Sequence, residues 1–323
     1  MAREVLVYSR SEIAAALDMP SLIDAVERAF VAYSSGQAEL PGVIHLEVPE
    51  SRGEIHVKAG HLRGASHYAV KVASGFYDTD PPAIDGLVIA FDARNGAPAA
   101  LLLDDGLITD ARTGAAGGVA ARHLAPERVR RVAVIGTGAQ ARFQLGALAS
   151  IRPFEEVAVW GRNAEHAARC VADLRERPGL PQGATYAAAS SVEDAVRDAD
   201  VVVTATASRE PLVMAEWLAA RVHVTAVGSD GPGKGELDPA ILRSADVLAC
   251  DARDQCVRLG ELQHAPEQLE RTLELGEIAA GRAEGRTEGT SLSVCDLTGV
   301  GVQDVAAATL VLERAEGGRR LER

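Results

Sequence analysis

The sequence predicts an α/β protein: a doubly wound parallel sheet of the Rossmann type, plus a second, α+β domain. Two observations carry this. From residue 131 onward, short apolar strands alternate with helical segments, the rhythm of βαβ units. The first of these strands, 132–135, runs into Gly136-Thr-Gly138-Ala139-Gln140-Ala141 and a helix-forming stretch. That is the strand–turn–helix layout that cradles a dinucleotide pyrophosphate.

Before residue 131 the pattern differs. Leu17, Leu22, Ile23, Val26, Phe30 and Val31 recur near a 3.6-residue period and predict a helix over 11–35, with Ser21 as an N-cap inside it. Residues 43–48, 55–58, 69–73 and 86–92 alternate between apolar and polar, separated by Gly, Pro, Asp and Asn, and predict an antiparallel sheet. Asp92-Ala-Arg-Asn-Gly reads as a hairpin turn into a strand at 98–103, and the Ala-rich stretch 110–124 as a helix. The expected parallel strands are 132–135, 157–160, 185–187, 201–205, 222–227 and 247–250, with 291–296 as one more. Helices are expected at 139–150, 163–176, 191–198, 237–244 and 301–316, and a polar surface loop at 280–289.

The chain has 323 residues and a net charge of -13, enough length for two cores and the wrong sign for nonspecific nucleic-acid binding. No apolar run reaches membrane-spanning length and the N-terminus shows no secretory pattern. Cys170, Cys250, Cys256 and Cys295 are scattered without ligand spacing, which predicts reduced thiols, a cytoplasmic location and no metal site.

In the glycine motif, Gly136 permits the turn, Gly138 lets phosphates approach the backbone, and Ala141 lets the helix lie close to the strand. Ala139 and Gln140 open that helix, whose N–H groups face the anion. An acid at the tip of the second strand would select NAD. Here Trp160-Gly161-Arg162 has none, so Arg162 favours NADP(H), with NAD(H) the alternative if Arg162 only stacks on adenine or stands in solvent. Arg112-Thr113 can hold a carboxylate or phosphate by a guanidinium fork plus a hydroxyl, or be an ordinary surface pair. Asp230 and Lys234, in Gly-Ser-Asp230-Gly-Pro-Gly-Lys234-Gly-Glu236, follow an apolar strand. There they can do proton chemistry beside a nicotinamide, or be solvated charges in a glycine-rich connection. Lys58 and Lys71 alternate within strand patterns and must face outward or into a polar pocket. His264 reads as structural.

Taken together, Val70-Lys71-Val, Leu103-Asp-Asp-Gly-Leu-Ile-Thr-Asp-Ala-Arg112-Thr113, the Gly136–Ala141 turn, Asp230-Gly-Pro-Gly-Lys234-Gly-Glu236 and Asp296-Leu-Thr-Gly-Val-Gly-Val-Gln-Asp304 resemble the ornithine cyclodeaminase/mu-crystallin family over nearly the whole chain. The wording near 56–58 and 228–236 is most similar to its ectoine-utilisation branch. The resemblance implies a substrate-binding and dimerisation domain (1–118 with 302–323, a returning C-terminal helix), a dinucleotide domain (119–301), an active site in the cleft between them and a homodimer. It implies a small amino or imino acid as substrate and no nucleic-acid or membrane partner. It assigns Lys71 and Arg112 to the substrate carboxylate, Asp230 to proton exchange at the reacting nitrogen, and Thr113 and Lys234 to the cofactor side. Two departures stand out. Gly42 occupies a position where cyclodeaminases carry arginine, leaving Lys58 to supply that charge, and Arg162 replaces the ribose-binding acid. Both point away from ornithine cyclodeamination and toward an imine reductase or amino-acid dehydrogenase. A cyclodeaminase recycling its bound cofactor, and an NADPH-dependent binding protein, are the alternatives.

Overall fold

A computed structural model describes residues 4–76 and 83–322; the first three residues of the stretch read above for a leader fall outside it. The chain forms two compact units, Met1–Arg112 with Val300–Arg323, and Thr113–Gly299.

The first unit opens with β1 (Glu4–Tyr8), α1 (Arg10–Ala16) and α2 (Met19–Ser34). The single helix expected over 11–35 is thus two, and Ser21 is not a cap. Ser9 caps α1 in a capping box with Glu12, and the Asp18 carboxylate caps α2 by accepting from the Ser21 backbone N–H at 3.0 Å. Pro20 falls in the first turn of α2, where a missing N–H costs nothing, so it starts the second helix instead of breaking one. Leu22, Ile23, Val26 and Phe30 form the buried stripe of α2.

Next come β2 (Ala38–Glu39), β3 (Ile44–Val48), β4 (Gly53–Leu62), β5 (His67–Phe76), β6 (Ala83–Asp92), β7 (Pro98–Leu102) and α3 (Leu107–Leu124). The hairpin turn between β6 and β7 forms as expected: Gly96 adopts a φ of 70° and its N–H donates to the Asp92 carbonyl at 2.8 Å. The sheet is not purely antiparallel, because β1 pairs parallel with β7.

The second unit contains β8 (Arg131–Ile135), α4 (Ala139–Ile151), β9 (Glu156–Trp160), α5 (Ala164–Glu176), β10 (Thr185–Ala188), α6 (Val192–Val196), β11 (Val201–Thr204), β12 (Val222–Ala226), α7 (Pro239–Ser244), β13 (Val247–Cys250), α8 (Arg253–Leu259), β14 (Leu273–Glu274), α9 (Leu275–Ala279) and β15 (Leu292–Asp296). Its sheet runs β10-β9-β8-β11-β12-β15-β13-β14, and every pairing is parallel. The strand order reverses between β8 and β11, the switch point where ligands of open α/β sheets bind. Both faces are covered, so β8 and β11 read as near-continuous apolar runs, while β12 buries His223 and Thr225 hydrogen-bonded to each other. At Gly114 of α3, an added Cβ would lie 2.8 Å from the Phe143 carbonyl oxygen of α4, so glycine is what lets α3 lie against α4.

The chain then returns to the first unit as α10 (Gly301–Arg314) and β16 (Arg319–Glu322). The strand β16 pairs antiparallel with β1, completing the order β16-β1-β7-β6-β5-β4-β2 with β3 on β4. Neither β1 nor β16 has a local signal strong enough to predict it, since each is short and one is mostly charged. The helix α10 packs on α2 and β4; at Gly301 an added Cβ would stand 2.4 Å from the Ala59 carbonyl oxygen.

Candidate functional site

The candidate residues fall into two sets, one in each unit. In the first unit, Lys58 on β4 and Lys71 on β5 are directly opposite one another, so both side chains leave the same face of the sheet. Lys71 points into a polar pocket and is buried, 2% exposed. Its Nζ is 3.1 Å from Oδ1 of Asp304 on α10. Arg112 on α3 is also buried; its Nε donates to the same Asp304 oxygen at 3.0 Å and an Nη donates to Gln303 at 2.6 Å. One carboxylate oxygen therefore serves two cations while Oδ2 is buried with no partner among the described residues.

Burial, the like charge of Arg112 and the nearby Lys58 push Lys71 down to about 7, against the pull of Asp304. Burial by itself would raise Asp304, yet Lys71, Arg112 and Lys58 outweigh it and leave that carboxyl below its ordinary value. Asp104 lies within reach of the same charges, but burial keeps its carboxyl above the ordinary value, and one of its oxygens accepts from the Ile108 N–H at 2.7 Å. Among the described residues, Lys58, Lys71 and Arg112 act on Asp304 and Asp104, so cations outnumber carboxylates there and a bound anionic group would be favoured.

Asp304 and Gln303 had no assigned role in the sequence. The available signal was an acid inside an otherwise apolar helix, flanked by Val302, Val305 and Ala306, which is out of place unless it meets a buried cation.

In the second unit, Gly136–Gly138, Trp160–Arg162 and Ala205–Ser208 line a cavity of about 260 Å³ at the carboxyl ends of β8, β9 and β11. Gly136 has a φ of 131°, and an added Cβ would lie 2.4 Å from the Ala205 carbonyl oxygen, so both strain and space demand glycine. At Gly138 an added Cβ would meet only open space, the gap into which a phosphate fits. Gly138 is the N-cap of α4 with no side-chain cap bond, so no side chain of the cap blocks the first N–H groups of Ala139 and Gln140 from an anion. Ala141 is fully buried against the sheet. These features fit a dinucleotide pyrophosphate. Arg162 stands exposed at the cavity wall, without a hydrogen bond or ion pair among the described residues. Thr113 is half-buried, and its carbonyl accepts from Gln144 at 2.9 Å.

The Asp230–Lys234 loop follows β12. Lys234 Nζ is 2.7 Å from Asp230 Oδ1, and the Asp230 side chain is 46% exposed. His264 binds the Lys234 carbonyl at 2.7 Å, a structural role. Behind the loop, Glu236 accepts from the Thr206 N–H and hydroxyl and from the Gly228 N–H, Glu261 accepts from the N–H groups of Glu236 and Leu237, and Asp296 accepts from the Leu262 N–H. These carboxyls staple the strand ends. The 280–289 segment is more than a surface loop: the guanidinium of Arg286 turns inward and donates to the carbonyls of Leu124 and Val222.

Burial raises Glu236 to about 7 and Asp296 to about 7, and burial with the Asp296 charge raises Glu261 to about 9. A raised acid binds protons more tightly when folded, so its contribution is complete below the unfolded value and is lost as pH rises to the folded one. For Asp296 the window runs from the ordinary carboxyl value of 3.8 to about 7. Asp296→Asn is expected to flatten the decline of unfolding free energy across that window, where each tenfold change in proton affinity is worth about 1.4 kcal/mol. Denaturant titrations at several pH values check it, and parallel curves for the two proteins would refute it.

Comparison with known proteins identifies the family and the fold. The model of the ornithine cyclodeaminase/mu-crystallin family matches residues 3–319. An uncharacterized cyclodeaminase of Sinorhizobium fredii is 41% identical over 310 residues, covering 92% of each chain. A solved archaeal alanine dehydrogenase dimer with bound NAD superposes with a TM-score of 0.88 at 32% identity, covering 99% of each chain. The iminosuccinate reductase of Paracoccus denitrificans, solved with NAD+, gives a TM-score of 0.89 at 30% identity, covering 99% of this chain and 100% of that one.

Proposed function

Because the chain belongs to the ornithine cyclodeaminase/mu-crystallin family, we propose that it is an NAD(P)-dependent oxidoreductase acting on the carbon–nitrogen bond of a small 2-imino or 2-amino acid. The observation that carries this is the buried trio in which Lys71 and Arg112 share one oxygen of Asp304. Its surplus positive charge is matched by a substrate carboxylate, which Arg112 engages through its planar fork and Lys71 as a point charge, with Lys58 adding a third cation. Asp304 is the positioning residue that holds both cations. A bound nicotinamide cofactor supplies or accepts the hydride. Asp230 gives a proton to the substrate nitrogen in reduction and takes it in the reverse direction. The first unit then binds substrate and the second binds cofactor, through Gly136, Gly138, Ala139 and Gln140, with Thr113 and Lys234 beside them.

Incubating the protein with NADH or NADPH and cyclic imines, with 2-oxo acids plus ammonia, and with ornithine tests this. Stoichiometric loss of reduced cofactor with an imine, or with a 2-oxo acid plus ammonia, is expected. Ammonia release from ornithine without net cofactor change would establish the second reading, a cyclodeaminase, which the 41% identical relative favours.

The cofactor is NADP(H) in this reading, because Arg162 takes the place of a ribose-binding acid, although the solved neighbours named above hold NAD. Arg162→Ala is expected to raise the Kd for NADPH by about 10- to 100-fold, the size of a charged hydrogen bond, and to leave NADH nearly unchanged. Fluorescence titration checks it, and equal weakening of both cofactors would remove the 2′-phosphate role.

The protein works as a homodimer. Ile44 and Leu46, on one face of β3, are 61% and 56% exposed, an apolar pair that a second copy would cover. A cytoplasmic location agrees with four free, buried cysteines and with no helix among the described residues long and apolar enough to cross a membrane.

A further inference from the structure

The amino ends of β8, β9, β11, β12 and β15 frame a cavity of about 880 Å³ at the sheet edge opposite the dinucleotide turn. Arg122, Arg128, Arg152, Arg221 and Arg286 line it together with His123. Five arginines thus line it against three acidic residues, Glu127, Asp200 and Glu288, in a chain whose net charge is -13. Asp200 is already engaged, since one of its oxygens accepts from the N–H groups of Arg130 and Arg131 at 2.7 and 2.9 Å.

Two of the arginines are fixed in place. Arg152 donates to the carbonyls of Pro126, Ile151 and Arg122. Arg286 donates to those of Leu124, Val222, Thr290 and Ser291, while its Nε is buried with no acceptor among the described residues. Neutral carbonyls orient a guanidinium without cancelling its charge. Capping the end of α3 accounts for these two but not for Arg128 and Arg221. Arg128 and Arg221 make no hydrogen bond or ion pair among the described residues. Partial burial, and then the like charge of Arg221, hold Arg286 below the ordinary guanidinium value. Like charges crowded on one wall are relieved by an anion between them.

We propose that this cavity is a second anion site, distinct from the cofactor turn, that takes a polyphosphate chain such as that of a nucleoside triphosphate or inorganic tripolyphosphate. Phosphate oxygens match the guanidinium fork, and several phosphates are needed to engage arginines on different walls. The volume falls within the roughly 300–1,000 Å³ of small-ligand sites.

The test is calorimetric titration of the full-length protein, saturated with NADH so that the cofactor turn is filled, with tripolyphosphate and with ATP. Binding that persists at saturating NADH is expected. The exposed double substitution Arg128→Glu with Arg221→Glu should weaken it by about tenfold or more, the scale of losing charge-assisted phosphate contacts. The same charge change placed elsewhere, Arg10→Glu with Arg28→Glu, should weaken it far less. Tighter binding of ATP than of tripolyphosphate would place the nucleoside inside the cavity, and equal binding would assign recognition to the phosphate chain alone. No heat with either probe, loss of binding on adding NADH, or equal weakening by both double substitutions would overturn the proposal.

Discussion

Replacing Lys71 by Met is expected to lower kcat/KM for an imino-acid substrate by about 10²–10³, because removing one partner of a buried charged contact costs roughly 3–5 kcal/mol. The loss should fall mainly on substrate, with cofactor affinity unchanged, since Lys71 lies in the first unit and the glycine turn in the second. Methionine is only one atom shorter and unbranched, and Asp304 retains Arg112 as a partner, so folding should survive. The pH dependence supplies a second readout. Lys71, held down to about 7, is charged below that pH and neutral above it. Carboxylate binding needs the charged form, so kcat/KM should fall as pH rises through about 7 in the wild-type protein. A bound carboxylate favours the ammonium, so the same limb in kcat should move to higher pH. The substitution should abolish this limb. A variant that keeps full kcat/KM with the same pH profile would remove Lys71 from the site.

Asp230→Asn should lower turnover by about 10²–10⁴, the usual contribution of a positioned general acid or base, while sparing cofactor binding. The carboxylate accepts and returns a proton; the amide does neither. Asp230 is paired with Lys234 and exposed, and the burial that stabilises the loop belongs to Glu236, Glu261 and Asp296, so the substitution tests chemistry and not folding. Single-turnover rates and a cofactor titration separate the two effects. Undiminished turnover would sink the assignment of Asp230 to proton transfer.

Local chemistry wrote much of this protein plainly. The βα rhythm after residue 131 survives folding because strands buried on both faces must be mostly apolar, with their few polar groups paired, and the helices between them must be amphipathic. The glycine turn is legible for a related reason: Gly136 needs a φ of 131° and a strand passing against it, which no other residue tolerates. The break between α1 and α2 was harder to see, because Asp18 and Pro20 can either end a helix or begin one.

What only the tertiary structure decided is pairing at long range. Lys71 alternates like any edge-strand lysine until Asp304, far along the chain, is brought to it by α10. Arg112 meets the same oxygen across a sequence separation of 192 residues. The insertion of β15 between β12 and β13, the partnership of β16 with β1 and the inward turn of Arg286 have the same origin. Backbone conformation follows from neighbours a few residues away, whereas a buried charge is tolerated only beside a partner whose position depends on how the whole chain closes.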